Sequence, residues 1–515
     1  MKPIPFIYLL CMISIPLLAQ DPGDLYMPFG QDGIYTAVRE DTASSSGDMG
    51  VLSDGSLMIA GTYHVLGSGV TNIAVLKLNN QGDVMPFGNS ATGFEYHLSE
   101  DNYIAALCIL PDDRIVVSIK SNETFEQPHL IMLDSDGEPV TGFGENGIFT
   151  VPRTMYVHDI GFFQHEGEYF IMLCGGSLDS QPVLMMIDQA GVPVSSFGDN
   201  GMYTLTSIEG TFKNLVIDHD SGQMYVSGSR YSSVDCAIFL VKYELPEGYR
   251  NSGFGVDGIL CFSESTGFNG RINSIVYEGS NNTLTAFGDY LHPEDDRDIF
   301  AYRVNGDDGT ADNSFGINGW SALRVPGSSE ILESAVAQPD GKFFFGGNTD
   351  YNGNWDFMIG CVNTGGSLDA SFGNNGLVTT KIYAEEDNQV KVIALSPDCD
   401  MLYAAGATDT PDEYAMAVAA YHTGYVSGPG LGVQENIPGT VNISPNPVKN
   451  QVRICTGQSG LHRVQVFDVT GKARYHKTFT GESAELNLEF LPPGVYFIQV
   501  GTPNTQLGIC RLLKQ

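Results

Sequence analysis

Through most of this chain apolar residues alternate with polar ones in short runs, and each run stops at glycine, asparagine, aspartate or proline. A period of two marks strands with one buried face. The stretch from Gly33 to Leu78 shows the unit. Gly33 to Val38 alternates, Asp48 to Leu52 runs into a turn at Ser53-Asp54-Gly55, Leu57 to Gly61 closes on glycine, and Asn72 to Leu78 ends at the turn Asn79 to Gly82. Four short strands per unit are predicted. The middle hairpin recurs around Pro111-Asp112-Asp113, Pro339-Asp340-Gly341 and Pro397-Asp398-Cys399. Proline presets φ for such a turn, and glycine accepts the positive φ that follows.

The units keep a long period. A Phe-Gly step occurs at Phe29, Phe87, Phe143, Phe197, Phe254, Phe315 and Phe372, with spacings of 58, 56, 54, 57, 61 and 57 residues. Most copies continue to a second glycine and a new strand, as in Phe143-Gly144-Glu145-Asn146-Gly147 before Ile148. A fixed period of this length means stacked units, each too small to bury a core of its own. Seven units of four strands predict an all-β, seven-bladed β-propeller over residues 20–425. A β-solenoid has shorter rungs, and separate sandwich domains need about 100 residues each. Two closures of the ring are open. Either the strand at Gly33 to Val38 completes the last blade as a latch, or each unit is a self-contained blade.

The unit Leu368-Asp369-Ala370-Ser371-Phe372-Gly373-Asn374-Asn375-Gly376, with Gln338-Pro339-Asp340-Gly341-Lys342 upstream, resembles the delta-60 repeat, a β-propeller family of secreted bacterial proteins. The resemblance covers about residues 25 to 425. It implies a fold and brings no established enzymatic activity with it. Phe87-Gly88 lacks the regular second glycine, and the turn at Asp218 to Gly222 lacks proline.

The first 19 residues read as a signal peptide, with Lys2 before the apolar stretch Phe6 to Leu18 and cleavage between Ala19 and Gln20. Leu10 before Cys11 is not the small residue that lipidation needs, and no later segment is apolar enough to span a bilayer. Residues 426–440 are Gly/Pro-rich and read as a linker. Residues 441–515 alternate again and predict a small Ig-like β-sandwich. Three motifs there, Pro445-Asn446-Pro447, Asp468 with Gly471-Lys472, and Pro493-Gly494 with Tyr496, resemble in order and spacing the C-terminal sorting domain of the type IX secretion system of Bacteroidetes. That resemblance implies partnership with the type IX machinery, export to the outer cell surface or medium, and removal of the tail, with surface lipopolysaccharide as an attachment point.

Net charge is −36, and it is unevenly placed. From Val441 onward 8 Lys/Arg stand against 4 Asp/Glu, whereas the preceding chain has 17 against 57, giving +4 and −40. So acidic a body disfavours nucleic acid and anionic lipid. The cysteines make no CxxC pair, so no zinc site is expected. Cys108, Cys174, Cys236 and Cys361 read as small buried hydrophobes, and Cys455 and Cys510 are the candidate disulfide of the tail.

No nucleophile, zinc or phosphate-loop motif stands in its required context, so no catalytic residue is assigned. His158-Asp159 and His165-Glu166 flank Phe162-Phe163 and read as surface or turn residues. Asp350, Asn352, Asn354 and Asp356 place oxygens at alternate positions; the run reads first as a polar turn and second as a calcium loop, with no other cofactor expected. The functional expectation is a non-catalytic extracellular binding module for a protein or glycan. The alternative is a polysaccharide-active enzyme working in the propeller funnel.

Overall fold

In the computed structural model the chain divides into two compact units, Met1–Ser427 and Gly428–Gln515. The structure describes residues 21–425 except 39–41, 68–70, 89–93, 97–101, 122–126, 153, 231–237, 263–269, 292–296, 325–326, 352, 384 and 411–412. In the second unit it describes residues 442–514 except 445–448, 456–460, 469–471, 482, 493 and 502–505. The signal peptide with Ala19 and Gln20, the linker, and Pro445, Asn446, Pro447, Gly471 and Pro493 of the tail motifs lie outside these residues.

The first unit is a seven-bladed β-propeller of antiparallel sheets. Blade 5 is typical, with strands Gly270–Glu278, Thr283–Leu291, Arg297–Asn305 and Trp320–Leu323 from axis to rim. The innermost strands of successive blades pack side by side round the axis, and Asn388–Leu395 of blade 7 returns to Thr42–Val51 of blade 1. The latch closes the ring: Ile34–Thr36 pairs antiparallel with Tyr414–His422, joining a seventh sheet built otherwise from the far end of the propeller. The segment before it reinforces the closure, because Tyr26 N–H donates to Ala420 O and Gly23 N–H to His422 O.

The hydrophobic cores lie between blades. Each of the seven core clusters of the propeller draws on two adjacent blades, and each holds one phenylalanine of the Phe-Gly steps. Those seven rings are 0–1% exposed. A residue at such a site stabilises by roughly 3 kcal/mol relative to a small side chain. The glycine that follows has a job of its own. Gly30, Gly88, Gly144, Gly255, Gly316 and Gly373 sit at φ between 51° and 67°. There the N–H turns outward and donates to a carbonyl in a turn of the next blade: Gln81, Asp136, Ala190, Asp308, Gly365 and Pro22, at 2.7–2.9 Å. The last acceptor belongs to the N-terminal segment, which thus supplies blade 7 with both an outer strand and a turn. From blade 3 to blade 4 the contact differs, with Gly248 packed directly on the Phe197 ring.

The receiving turns are shaped by one side chain. In Asn79, Asp134, Asp188 and Asn363 the side-chain oxygen accepts backbone N–H groups two and four residues on. This is the local bonding that suits Asn and Asp to turns.

The second unit is a two-sheet sandwich. One sheet has Asn442–Ser444, Gln451–Cys455 and Ser483–Asn487, and the other Leu461–Asp468, Ala473–Thr480, Gly494–Gly501 and Gln506–Lys514. Val452 and Ile454 from one sheet meet Val464, Val466, Ile498 and Val500 from the other, at alternate positions as the pattern requires. Tyr496 is buried, and its hydroxyl donates to Pro492 O at 3.0 Å.

The bond from the Phe-Gly glycine to the next blade's turn makes a discriminating prediction. A Cβ on Gly137 would stand 2.4 Å from Gly88 N, whereas one on Gly55 meets nothing within 4 Å, although both have φ near +85° (88° and 84°). Gly55→Ala should cost about 1 kcal/mol, from backbone strain alone. Gly137→Ala should cost about 2–4 kcal/mol, because the turn must retreat from its neighbour. Urea unfolding midpoints of the two variants check this, and equal losses would show that the glycine-to-turn contact does not hold adjacent blades.

Candidate functional site

Two turn families, those joining first to second and third to fourth strands, gather on what we call the lower face. The opposite ends form the upper face. The innermost strands run between the two and line the axial channel.

Every innermost strand breaks register at one equivalent place. The breaks fall between Ser46/Asp48, Ile104/Ala106, Val157/Asp159, Phe212/Asn214, Ile272/Ser274, Leu332/Ser334 and Val390/Val392. The extra residues are therefore Gly47, Ala105, His158, Lys213, Asn273, Glu333 and Lys391. Bulges re-aim side chains and recur where a strand must do more than pair. Here they make a collar. His158 Nε2 lies 3.3 Å from Lys213 Nζ, Glu333 Oε1 lies 3.3 Å from Lys391 Nζ, and Asn273 Nδ2 donates to Leu332 O, each pair spanning adjacent blades. Gly47 is pressed against Ile104, where a Cβ would lie 2.7 Å from the isoleucine Cβ.

At three of the seven bulges the next residue clamps the neighbouring blade. Asp48 accepts N–H of Leu107 at 2.6 Å and of Met49 at 2.8 Å; Asp159 accepts N–H of Leu215 at 2.9 Å and of Ile160 at 2.8 Å. Ser274 Oγ accepts the Ala335 N–H at 3.2 Å. Burial raises Asp48 to about 6 and Asp159 to about 7, against the pull of those N–H groups, and Asp48 adds to the rise at Asp159. Glu333 is also pushed up by burial, against the attraction of Lys391 and Arg271.

The expected surface pair thus divides. His158-Asp159 belongs to the collar, while His165 stacks on Phe163 beside Glu166, a turn residue of the lower face at φ 52°. The strand expected from Asp48 to Leu52 runs from Thr42 to Val51 and so takes in the polar run Thr42 to Ser46. Its hydroxyls face neighbouring backbone: Ser46 donates to Gly406 O, and Ser44 accepts the Met416 N–H.

Two members of the calcium-like run make protein contacts. Asp350 accepts the Ser329 N–H at 2.7 Å; Asp356 lies buried at a strand start with Lys381 at 3.5 Å and Asn388 at 3.3 Å; Asn352 is outside the described residues. Among the described residues no group of three or more His, Cys, Asp or Glu is placed to hold a metal. Cys108, Cys174 and Cys361 are buried free thiols, and Cys236 is outside the described residues. Cys261 is disulfide-bonded, a feature the sequence pattern did not signal. Cys455 and Cys510 lie on different sheets of the sandwich. No helix is long and apolar enough to cross a membrane among the described residues.

Residues 442–509 match the secretion system C-terminal sorting domain. The tail is a type IX sorting domain. The protein is therefore exported, to the cell surface or the medium, by machinery that handles this domain. Residues 52–84 and 338–372 match the domain of unknown function (DUF5122) beta-propeller, which agrees with the fold described above. No curated protein matches the chain. Among solved structures, a fungal alcohol oxidase of the AA5 family in complex with copper is 11% identical, with TM-score 0.40, covering 94% of this chain and 100% of its own. A protein of unknown function from Bacteroides caccae is 10% identical, with TM-score 0.35, covering 62% and 93%. The β-propeller domain of the Trilobed protease from Pyrococcus furiosus is 7% identical, with TM-score 0.41, covering 75% and 100%. At such TM-scores these likenesses carry no argument for this chain.

The clamps predict a pH dependence. The folded propeller holds protons on Asp48 and Asp159 that the unfolded chain, with carboxyls near 3.8, releases. Their contribution to stability is complete below about pH 4 and is lost as pH rises through 6 to 7. Stability should fall over that window in the native protein, and Asp159→Asn should flatten the fall. Urea midpoints between pH 4 and 8 test it, and an unchanged slope in the variant would refute the assignment.

Proposed function

We propose that the exported propeller is a non-catalytic binding module of the cell surface or extracellular space, engaging its ligand on the upper face and channel mouth. One observation carries this reading: the clamp carboxyls raised toward neutral pH, Asp48 and Asp159, commit both oxygens to backbone N–H groups and hold the ring. Groups spent on blade contacts are not free to meet a substrate. The upper face offers contact chemistry instead. Tyr103, Tyr351 and Tyr414 are 38%, 62% and 36% exposed there, and the Tyr414 hydroxyl lies 3.2 Å from His64 Nδ1. Exposed tyrosines give large contact area with a polar tip, which suits proteins and sugars alike.

The enzymatic alternative rests on Glu333, the collar carboxyl that burial holds above its ordinary range beside Lys391. A screen of the secreted protein on polysaccharides would show turnover abolished by Glu333→Gln if that alternative holds.

The sorting domain is proposed to be removed after export, leaving the propeller either released or bound to surface lipopolysaccharide. The mature form should then be lighter by roughly 8 kDa, for about 75 residues. Mass spectrometry of the surface and medium fractions checks this, and an intact C-terminus in both would overturn it. For the binding reading, the secreted protein on glycan and extracellular-protein arrays should give saturable binding without turnover. Silence on both arrays, or hydrolysis of any polymer, would overturn it.

A further inference from the structure

Several ion pairs on the two faces of the propeller are built in opposite senses, although in Lys342–Asp369 of the lower face the carboxylate is the more buried partner, 16% against 35% exposed. On the lower face the cation is the buried partner in three of them: Lys242 is 2% exposed against 71% for Asp307, Arg303 8% against 21% for Asp312, and Arg114 19% against 45% for Asp112. On the upper face of blades 5 and 6 the order reverses. Asp289 and Asp298 are 0% exposed and Asp356 1%, while their partners Arg271, Arg297, Arg324 and Lys381 are 48%, 32%, 34% and 36% exposed. Asp289 alone anchors two guanidiniums, Arg271 at 2.9 Å and Arg297 at 2.6 Å, and receives Asn273 at 3.2 Å. Four cationic heads are thus held in place from below and presented outward on a body whose net charge is −40. Pre-anchored guanidiniums suit carboxylate and sulfate oxygens, because less side-chain freedom is lost on binding.

A groove of about 830 Å³ runs along the same rim, beside the outer strand Leu377–Thr380. Arg324 and Tyr351 both line it. An aromatic ring and an anchored cation on one groove, with Asp24 also in its lining, suit a ligand with an apolar ring face and an anionic substituent held toward Arg324. We propose that the upper rim of blades 5 and 6 binds an anionic polysaccharide, one carrying carboxylate or sulfate groups. The lower face, with its outward carboxylates, repels the same polymer and so fixes which side of the disc is used. The inference deepens the binding reading above and rests on it.

The test uses the secreted protein and four probes: dextran sulfate, polygalacturonate, neutral dextran and a DNA duplex, by calorimetry at low and at moderate salt. Charge-paired variants avoid leaving a buried carboxylate alone: Asp298→Asn with Arg324→Gln, and Asp356→Asn with Lys381→Gln. Circular dichroism and the urea midpoint confirm that each folds. The expected result is binding of one or both anionic polymers, weakened by salt and by roughly tenfold in each paired variant, with no binding of neutral dextran. Equal affinity in the paired variants, equal binding of neutral dextran, or tighter binding of a DNA duplex than of either polyanion would overturn the proposal. If the anionic polymers fail while the arrays return a neutral glycan or a protein, this inference falls and the binding reading stands. Failure of every probe and both arrays removes both.

Discussion

One contact repeats round this molecule and carries its architecture: a buried phenylalanine followed by a left-handed glycine whose N–H reaches the next blade. The ring fills the seam between two sheets, and the glycine fixes how far apart they stand. Because each core is shared by neighbours, no blade is complete without the next. The array has to close to protect its end seams, and the chain closes it with its own N-terminal segment. Asp21 to Tyr26 imitates the missing turn, and Ile34–Thr36 imitates the missing strand.

The axis is organised by a second repeated device. Every inner strand bulges at one level, and at Asp48, Asp159 and Ser274 the residue after the bulge bonds the neighbouring blade's backbone. The backbone requirement is common to all seven copies, whereas the side chains differ: Gly47 touches, His158 and Lys213 meet, Glu333 and Lys391 form an ion pair. A propeller can therefore vary the chemistry of its channel without disturbing its frame. Here much of that chemistry is turned inward, to the blade contacts.

The faces show how one acidic chain presents two surfaces. Burying the cation of a pair leaves the carboxylate to solvent, and burying the carboxylate leaves the cation. The desolvation cost falls on whichever group is buried, and its partner and neighbouring donors offset that cost. At Asp289 two arginines and an asparagine do so together. This sense of burial, rather than net charge, sets what each face offers to a ligand. The sorting domain then delivers the whole disc outside the cell.

How much of this was legible in the sequence depends on whether a feature repeats locally. Seven blades, four strands each, Pro-Asp-Gly and Asn-led turns, and the tail motifs were all readable, because φ preferences and period-two burial act over a few residues. The latch was visible as an unpaired strand near Ile34, but two closures fitted the pattern until its pairing with Ala417 to Ala419 was seen. Strand ends were read short where polar residues such as Ser44 and Ser46 face another blade's backbone and so break the expected alternation. The purpose of the Phe-Gly step, the clamps at Asp48 and Asp159, and the reversed ion pairs could not be read at all. Each joins residues about one repeat or more apart, or depends on which partner is buried, and burial is decided only when neighbouring sheets are packed together. The sequence by itself determined the unit, its number and its destination; the tertiary structure decided how the units grip one another and which charges face the outside.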